Sequence, residues 1–136
     1  MLRIKTVIKS SKIHGIGLFA TQFIPKGTVT WQYDPGFDPD FSEKELENLK
    51  KMHEFVFLKY GYFDSQLQKF IVCIDDQRFI NHSSTGYNIV SKPDCDVALR
   101  DIKSGEELLC NYNHYESDWF KKRKLKEKDF IDQFFS

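Results

Sequence analysis

Arg78-Phe79-Ile80-Asn81-His82-Ser83 stands close behind the apolar run Phe70-Ile71-Val72-Cys73-Ile74. The run is unbroken and carries β-branched residues, so it predicts a buried strand. Asp75, Asp76 and Gln77 separate the two stretches, and Ser84, Thr85 and Gly86 prolong the polar one. Polar residues that follow a buried strand so closely either cap turns or face a ligand. Asn81 carries both donors and acceptors and can do either. Two further segments, one toward each end of the chain, bear on the choice.

Toward the N-terminus, residues 2–8 alternate Leu/Ile/Val with Arg/Lys/Thr and predict an edge or half-exposed strand. Residues 11–20 follow, with Gly15 and Gly17 separated by one residue. Such a pair lets the backbone turn tightly and approach a ligand with no Cβ in the way. Alone it is an ordinary turn, because it lacks the third glycine and the helix of a dinucleotide loop. Pro25-Lys26-Gly27 predicts a turn, residues 28–33 a strand, and the proline-bearing residues 34–40 a loop. Ser42 and Glu45 form a Ser-x-x-Glu capping box, so a helix starts at Ser42. Leu46, Leu49, Met52 and His53 form its stripe.

Residues 54–63 are aromatic-rich and read as extended. Residues 97–100 predict a strand, 103–106 a turn and 107–112 the last strand. From Ser117 the chain reads as helical, with the basic run 121–126 as a solvated face. Phe130, Ile131, Phe134 and Phe135 form an apolar end that must pack on this subunit or on another.

The length of 136 residues predicts one domain. Twenty basic and twenty acidic side chains leave no net field to hold a polyanion. That argues against nucleic acid, though not against a basic peptide in a locally acidic groove. The aromatic residues either fill the core or wall a channel. No apolar run approaches the ~18 residues of a membrane helix. Nor does Met1-Leu2-Arg3-Ile4-Lys5 open a signal peptide, so the expectation is a soluble, intracellular protein, cytoplasmic or nuclear, with no membrane partner. Cys73, Cys95 and Cys110 lack Cys-x-x-Cys spacing. They predict free thiols and no zinc site.

Read in order, three segments resemble the SET-domain protein-lysine methyltransferases: Gly15-Ile16-Gly17-Leu18-Phe19-Ala20, Arg78 to Ser83, and Gly105-Glu106-Glu107-Leu108-Leu109-Cys110-Asn111-Tyr112. Tyr60 ahead of Asp75, and Asp101-Ile102-Lys103-Ser104-Gly105, extend the likeness over residues 5–115. The resemblance implies a mainly β (β-clip) fold of several small sheets. It includes a pseudoknot where the Asn81 and Tyr112 segments thread together, one short internal helix and a C-terminal helix. Residues 1–115 would be the SET domain, and 116–136 a helical flank closing the lysine channel.

The resemblance further implies S-adenosylmethionine as methyl donor, S-adenosylhomocysteine as product, and a lysine of a histone or non-histone protein or peptide as substrate. Tyr112 would be the catalytic tyrosine. Gly15, Ile16 and Gly17 would touch the cofactor through backbone groups, alongside Tyr60, Arg78, Phe79, Asn81, His82 and Tyr112. Tyr33, Tyr60, Phe79, Cys110, Trp119 and Phe120 would line the lysine channel, and Glu107 would be structural.

Ser84 stands where zinc-tailed members place a cysteine, and no cysteine follows Cys110, so no metal is expected. Asn88 would take a family asparagine's structural part, and Asn111 replaces the usual aspartate. Cys110 is smaller than the aromatic residue common at its position, which predicts room for di- or trimethylation. The alternatives are a non-catalytic SET-like binding module, or a methyltransferase for a small amine or non-histone protein. The apolar C-terminal end suggests a homodimer.

Overall fold

The apolar run ahead of Asn81 forms strand β6 (Lys69–Val72). Phe70, Ile71, Val72 and Cys73 are all buried, and the run leaves the core at Ile74, which is 43% exposed. The computed structural model describes residues 1–48 and 60–111. The expectations for Leu49, Met52, His53 and residues 54–59 lie outside them. So do those for Tyr112, Trp119, Phe120, the C-terminal helix and the apolar end offered as a dimer contact.

Three small sheets make up the described fold. β1 (Thr6–Ser10) and β2 (Ile16–Ala20) form an antiparallel hairpin. Its loop closes locally: the Ser11 hydroxyl accepts from the backbone of Ile13 and His14, and Ser11 N donates to Gly15 O at 2.9 Å. Gly15 has φ +48°, a left-handed conformation that glycine adopts without a Cβ penalty. The strand expected from residue 2 begins at Thr6, and Leu2 makes an isolated bridge to Trp31 instead.

β6 is the middle strand of an antiparallel sheet between β4 (Asp40–Phe41) and β5 (Gly61–Asp64). A strand paired on both edges and covered on both faces needs the continuous apolar pattern that residues 70–73 show. Between β4 and β5 lies helix α1 (Glu43–Glu47), which starts as its capping box predicts. Glu45 N reaches the Ser42 hydroxyl, and Ser42 N donates to the Glu45 carboxylate.

The largest sheet runs β3 (Val29–Gln32), β9 (Cys95–Ala98), β8 (Ile89–Lys92), β10 (Leu109–Cys110), β7 (Asn81–His82). β10 is parallel to both of its neighbours, so the late segment lies between two strands that are close in sequence. Of the last strand, expected over 107–112, Leu109 and Cys110 are strand among the described residues, and Glu107 makes a bridge to Phe19.

Two apolar clusters anchor these sheets. The first gathers Leu18, Ala20, Ile24, Ile80, Ile89, Ala98, Ile102, Leu108 and Cys110. The second gathers Trp31, Ile71 and Cys73, with Leu2, Tyr33 and Tyr62 against it. The 3₁₀ helix Asp76–Phe79, not foreseen in the sequence, bridges β6 and β7, and Asp75 caps it by accepting from Gln77 N. Among the described residues, no helix is long and apolar enough to cross a membrane.

Candidate functional site

Asn81 is the meeting point of the three sequence segments. Its Nδ2 lies 3.1 Å from His14 O, 3.0 Å from Ile16 O and 3.0 Å from Glu107 Oε1. Two amide hydrogens thus serve three acceptors, tying the β1–β2 loop to the segment that leads into β10. Asn81 braces the fold, and it does so at an exposed edge, since His14, Gly15 and Ile16 are all exposed.

The two glycines do different work. A Cβ on Gly15 would meet nothing within 4 Å, so that glycine serves the turn. A Cβ on Gly17 would lie 2.1 Å from Glu107 Oε1 and 3.1 Å from Asn81 Nδ2. Gly17 therefore makes room for the Asn81–Glu107 contact. Glu107 supports Asn81 as a hydrogen-bond acceptor, in keeping with a structural part.

Asn88 secures the same segment from the other side. It is 1% exposed. Its Nδ2 donates to Glu107 O and its Oδ1 accepts from Leu109 N, both at 2.9 Å, while Asn88 N donates to Leu109 O. Its amide thereby extends the strand ladder by one side chain. His82 pairs with Cys110 in register, and Ser83 N donates to Cys110 O. Asn81 and His82 thus pair with Leu109 and Cys110, which precede Tyr112 in the sequence by three and two residues.

Arg78 brings two more predicted residues together. Its guanidinium lies 5.7 Å from the Tyr60 ring centre and 4.9 Å from that of Phe79, within cation–π range of both. Tyr60, Arg78 and Phe79 form one cluster beside the Asn81 strand. Cys110 is 4% exposed within the first apolar cluster, so its thiol faces the interior.

Tyr33 stands apart, against the second cluster, with its hydroxyl donating to Asp40. Desolvation, the Asp40 hydrogen bond and the nearby Asp40, Asp38 and Asp34 charges push its phenol up to about 12. Lys69 and Tyr33 hold the Asp40 carboxyl below its ordinary range, with Lys69 Nζ 2.8 Å away.

The pair Gln77 and Asp96 was missed in the sequence. Both are buried, and Gln77 Nε2 donates to Asp96 Oδ2. Burial pushes the Asp96 carboxyl up to about 6, against the opposing hydrogen bonds from Ser91 and Gln77. A signal was present: Asp96 interrupts the apolar positions of Val97 and Ala98 in a strand, and a charge there calls for a donor. Among the described residues, no group of three or more His, Cys, Asp or Glu could hold a metal.

Comparison with known proteins adds three findings. A family model described as the SET domain matches residues 15–113. No curated protein sequence matches. Among solved structures, an apo polycomb repressive complex 2 with two mutations in Ezh2 aligns at TM-score 0.66 and 27% identity over 88% of this chain and 16% of that one. The crystal structure of the Chaetomium thermophilum polycomb repressive complex 2 aligns at 0.65 and 25%, over 85% and 16%. An autoinhibited form of that complex bound to S-adenosylmethionine has the same fold, at 0.65 and 24%, over 89% and 16%. The chain spans about a sixth of the length of the solved chains it matches, as the 16% shares show.

Proposed function

The chain belongs to the SET-domain family, and from that membership we propose that it transfers a methyl group from S-adenosylmethionine to a lysine ε-amine of a protein. One observation carries the proposal: Asn81 joins the Gly15–Gly17 loop to Glu107, next to the strand that runs into Tyr112.

The edge beside Asn81 fits the methyl donor. Open space surrounds Gly15, and Ile16 offers an apolar side chain that is 47% exposed, next to exposed backbone. Gly15, Ile16, Gly17, Asn81 and His82 would hold the donor there, with Tyr60, Arg78 and Phe79 beside them. When bound, S-adenosylmethionine supplies an electrophilic methyl group on a sulfonium.

The chain's own contribution is alignment, because a direct displacement requires nucleophile, methyl and leaving group in line. The lysine must be neutral, whereas a free one has a pKa of about 10.4. Aromatic walls that strip its water, together with a nearby positive charge, lower that value. The proton then leaves through water, and no dedicated base is required. Tyr112 would orient the amine lone pair through its hydroxyl.

Calorimetry with S-adenosylmethionine on wild type and Asn81→Ala, with melting curves as the folding control, tests the donor site. Transfer of labelled methyl to lysine peptides by wild type and Tyr112→Phe tests turnover. Binding by the wild type, loss in Asn81→Ala, and transfer that Tyr112→Phe abolishes are expected. Binding without transfer would favour a SET-like binding module; absence of binding would overturn the proposal.

A further inference from the structure

Gln77 occupies a particular place in the chain. Its backbone closes the 3₁₀ helix from both ends, since Gln77 N is capped by Asp75 and Gln77 O accepts from Ile80 N at 3.1 Å. Its side chain leaves that helix and enters the largest sheet, where Nε2 donates to Asp96 of β9. Three residues on, Ile80 is buried in the first apolar cluster. Arg78 and Phe79 are therefore suspended between two anchors, one polar and one apolar, and Asn81 and His82 follow immediately. The apolar anchor does not respond to solution conditions, but the polar one can.

We propose that Asp96 is a positioning residue. Its carboxylate, acting through Gln77, holds the Arg78–His82 stretch in the conformation that binds the methyl donor, and protonation of Asp96 loosens that hold. The proposal rests on the methyltransferase reading for its consequence, but the latch itself is a property of the folded chain. A hydrogen bond to an ionised acceptor is about twice as strong as one to a neutral group. Losing the charge therefore weakens the Gln77 contact without removing it.

The surroundings of Asp96 make the charge responsive. Burial raises its carboxyl to about 6. The Ser91 side chain of β8 and the Met1 ammonium favour the ionised form. Among the described residues, Tyr62 of β5, Cys73 beyond β6 and its neighbour Cys95 in β9 also feel its charge, each of them pushed up by burial. All three stay neutral while Asp96 titrates. Asp75, Asp76 and Arg78 are the charged groups that lie on the turn itself.

The two consequences of protonating Asp96 have opposite signs. Removing a buried charge stabilises the fold as a whole, whereas weakening the Gln77 contact frees the 3₁₀ helix. A merely structural residue would move both in the same direction.

Amide hydrogen exchange on the intact chain separates them. Ile80 N reports the turn, while Ile102 N and Leu108 N, bonded to Ile24 O and Leu18 O, report the core. After correction for intrinsic rates, lowering the pH from about 8 to about 5 should speed Ile80 exchange relative to the core amides severalfold in wild type. Asp96→Asn, neutral at every pH, should abolish that dependence, and Gln77→Leu should exchange fast at both pH values. Ile80 protection that ignores pH in wild type, or is unchanged in Gln77→Leu, would overturn the latch.

Calorimetry with S-adenosylmethionine at the same two pH values tests the consequence. Weaker binding at the lower pH in wild type but not in Asp96→Asn is expected, and equal binding in wild type would refute the coupling. Absence of binding at both pH values refutes the methyltransferase reading and the coupling together, and the exchange data still judge the latch.

Discussion

Replacing Gly17 by alanine should destabilise the protein through one particular contact. The new Cβ would lie 2.1 Å from Glu107 Oε1 and 2.9 Å from Glu107 Cδ, so the carboxylate must move. The backbone is not the obstacle, because Gly17 does not have a positive φ. What is lost is the 3.0 Å hydrogen bond from Asn81 and the seat of a half-buried carboxylate. A hydrogen bond to a charged group contributes about 1.5–3 kcal/mol. Glu107 is partly solvated and can turn toward water, so the lower half of that range, about 1.5–2 kcal/mol, is expected. For a chain of this size that lowers Tm by roughly 3–8 °C.

The control is the same substitution in a Glu107→Ala background. There the side chain that clashes is gone, and Asn81 keeps His14 O and Ile16 O as acceptors. With only the 3.1 Å approach to Asn81 Nδ2 left to absorb, Gly17→Ala should be neutral or stabilise by up to about 1 kcal/mol, through the unfolded chain. Equilibrium unfolding in urea of the four proteins gives the coupling energy, expected at about 1–3 kcal/mol. Equal costs of Gly17→Ala in both backgrounds would refute the reasoning and place the constraint in the backbone.

Other predictions concern the buried polar groups. The Asp96 carboxyl is raised from 3.8 to about 6, so the folded state holds the proton more tightly than the unfolded one. Stability should therefore fall as pH rises from about 4 to about 6, and Asp96→Asn should flatten that slope. The substitution should also raise stability near pH 7.5 by at most about 3 kcal/mol, two units at 1.36 kcal/mol each, as urea titrations at both pH values will show. Asn88→Ala removes two side-chain hydrogen bonds from a buried ladder and should cost about 2–4 kcal/mol by the same method. The Tyr33 phenol should ionise near 12, read as the ultraviolet difference between wild type and Tyr33→Phe. Asp40→Asn should bring it part of the way back toward 10, because burial, the largest cause, remains.

Much of this fold was legible in local pattern. The helix start was written in Ser42 and Glu45, which satisfy each other within one turn. The buried β6 was written in an unbroken apolar run, and the β1–β2 loop in Gly15, whose conformation is a property of its own φ. The family was legible as well, because three short segments in a fixed order are themselves a pattern. What those segments do in the fold was not. Asn81 and Gly17 were read as donor-site residues and Glu107 as structural, yet Asn81 and Gly17 also have a bracing role that only the assembled structure reveals. Their presence therefore speaks for the fold as much as for turnover.

Where pairing joins residues distant in the chain, tertiary structure alone decided the outcome. Residues 107–112 read as one strand, but among the described residues Leu109 and Cys110 pair with β7, and Cys110 also pairs with Ile89 of β8. Cys110 read as a channel wall from its position before Tyr112, and in the fold its thiol belongs to the core with Ile80 and Ile89. Tyr33 read as a channel residue, and its hydroxyl is held by Asp40. Asp96 could be seen to need a donor, but that Gln77 is the donor was decided only where the 3₁₀ helix and β9 meet. A residue's backbone preference and its neighbours within a turn act at short range, and sequence records them. Which carboxylate is dried, and which amide answers it, depends on surfaces that come together only when the chain closes on itself.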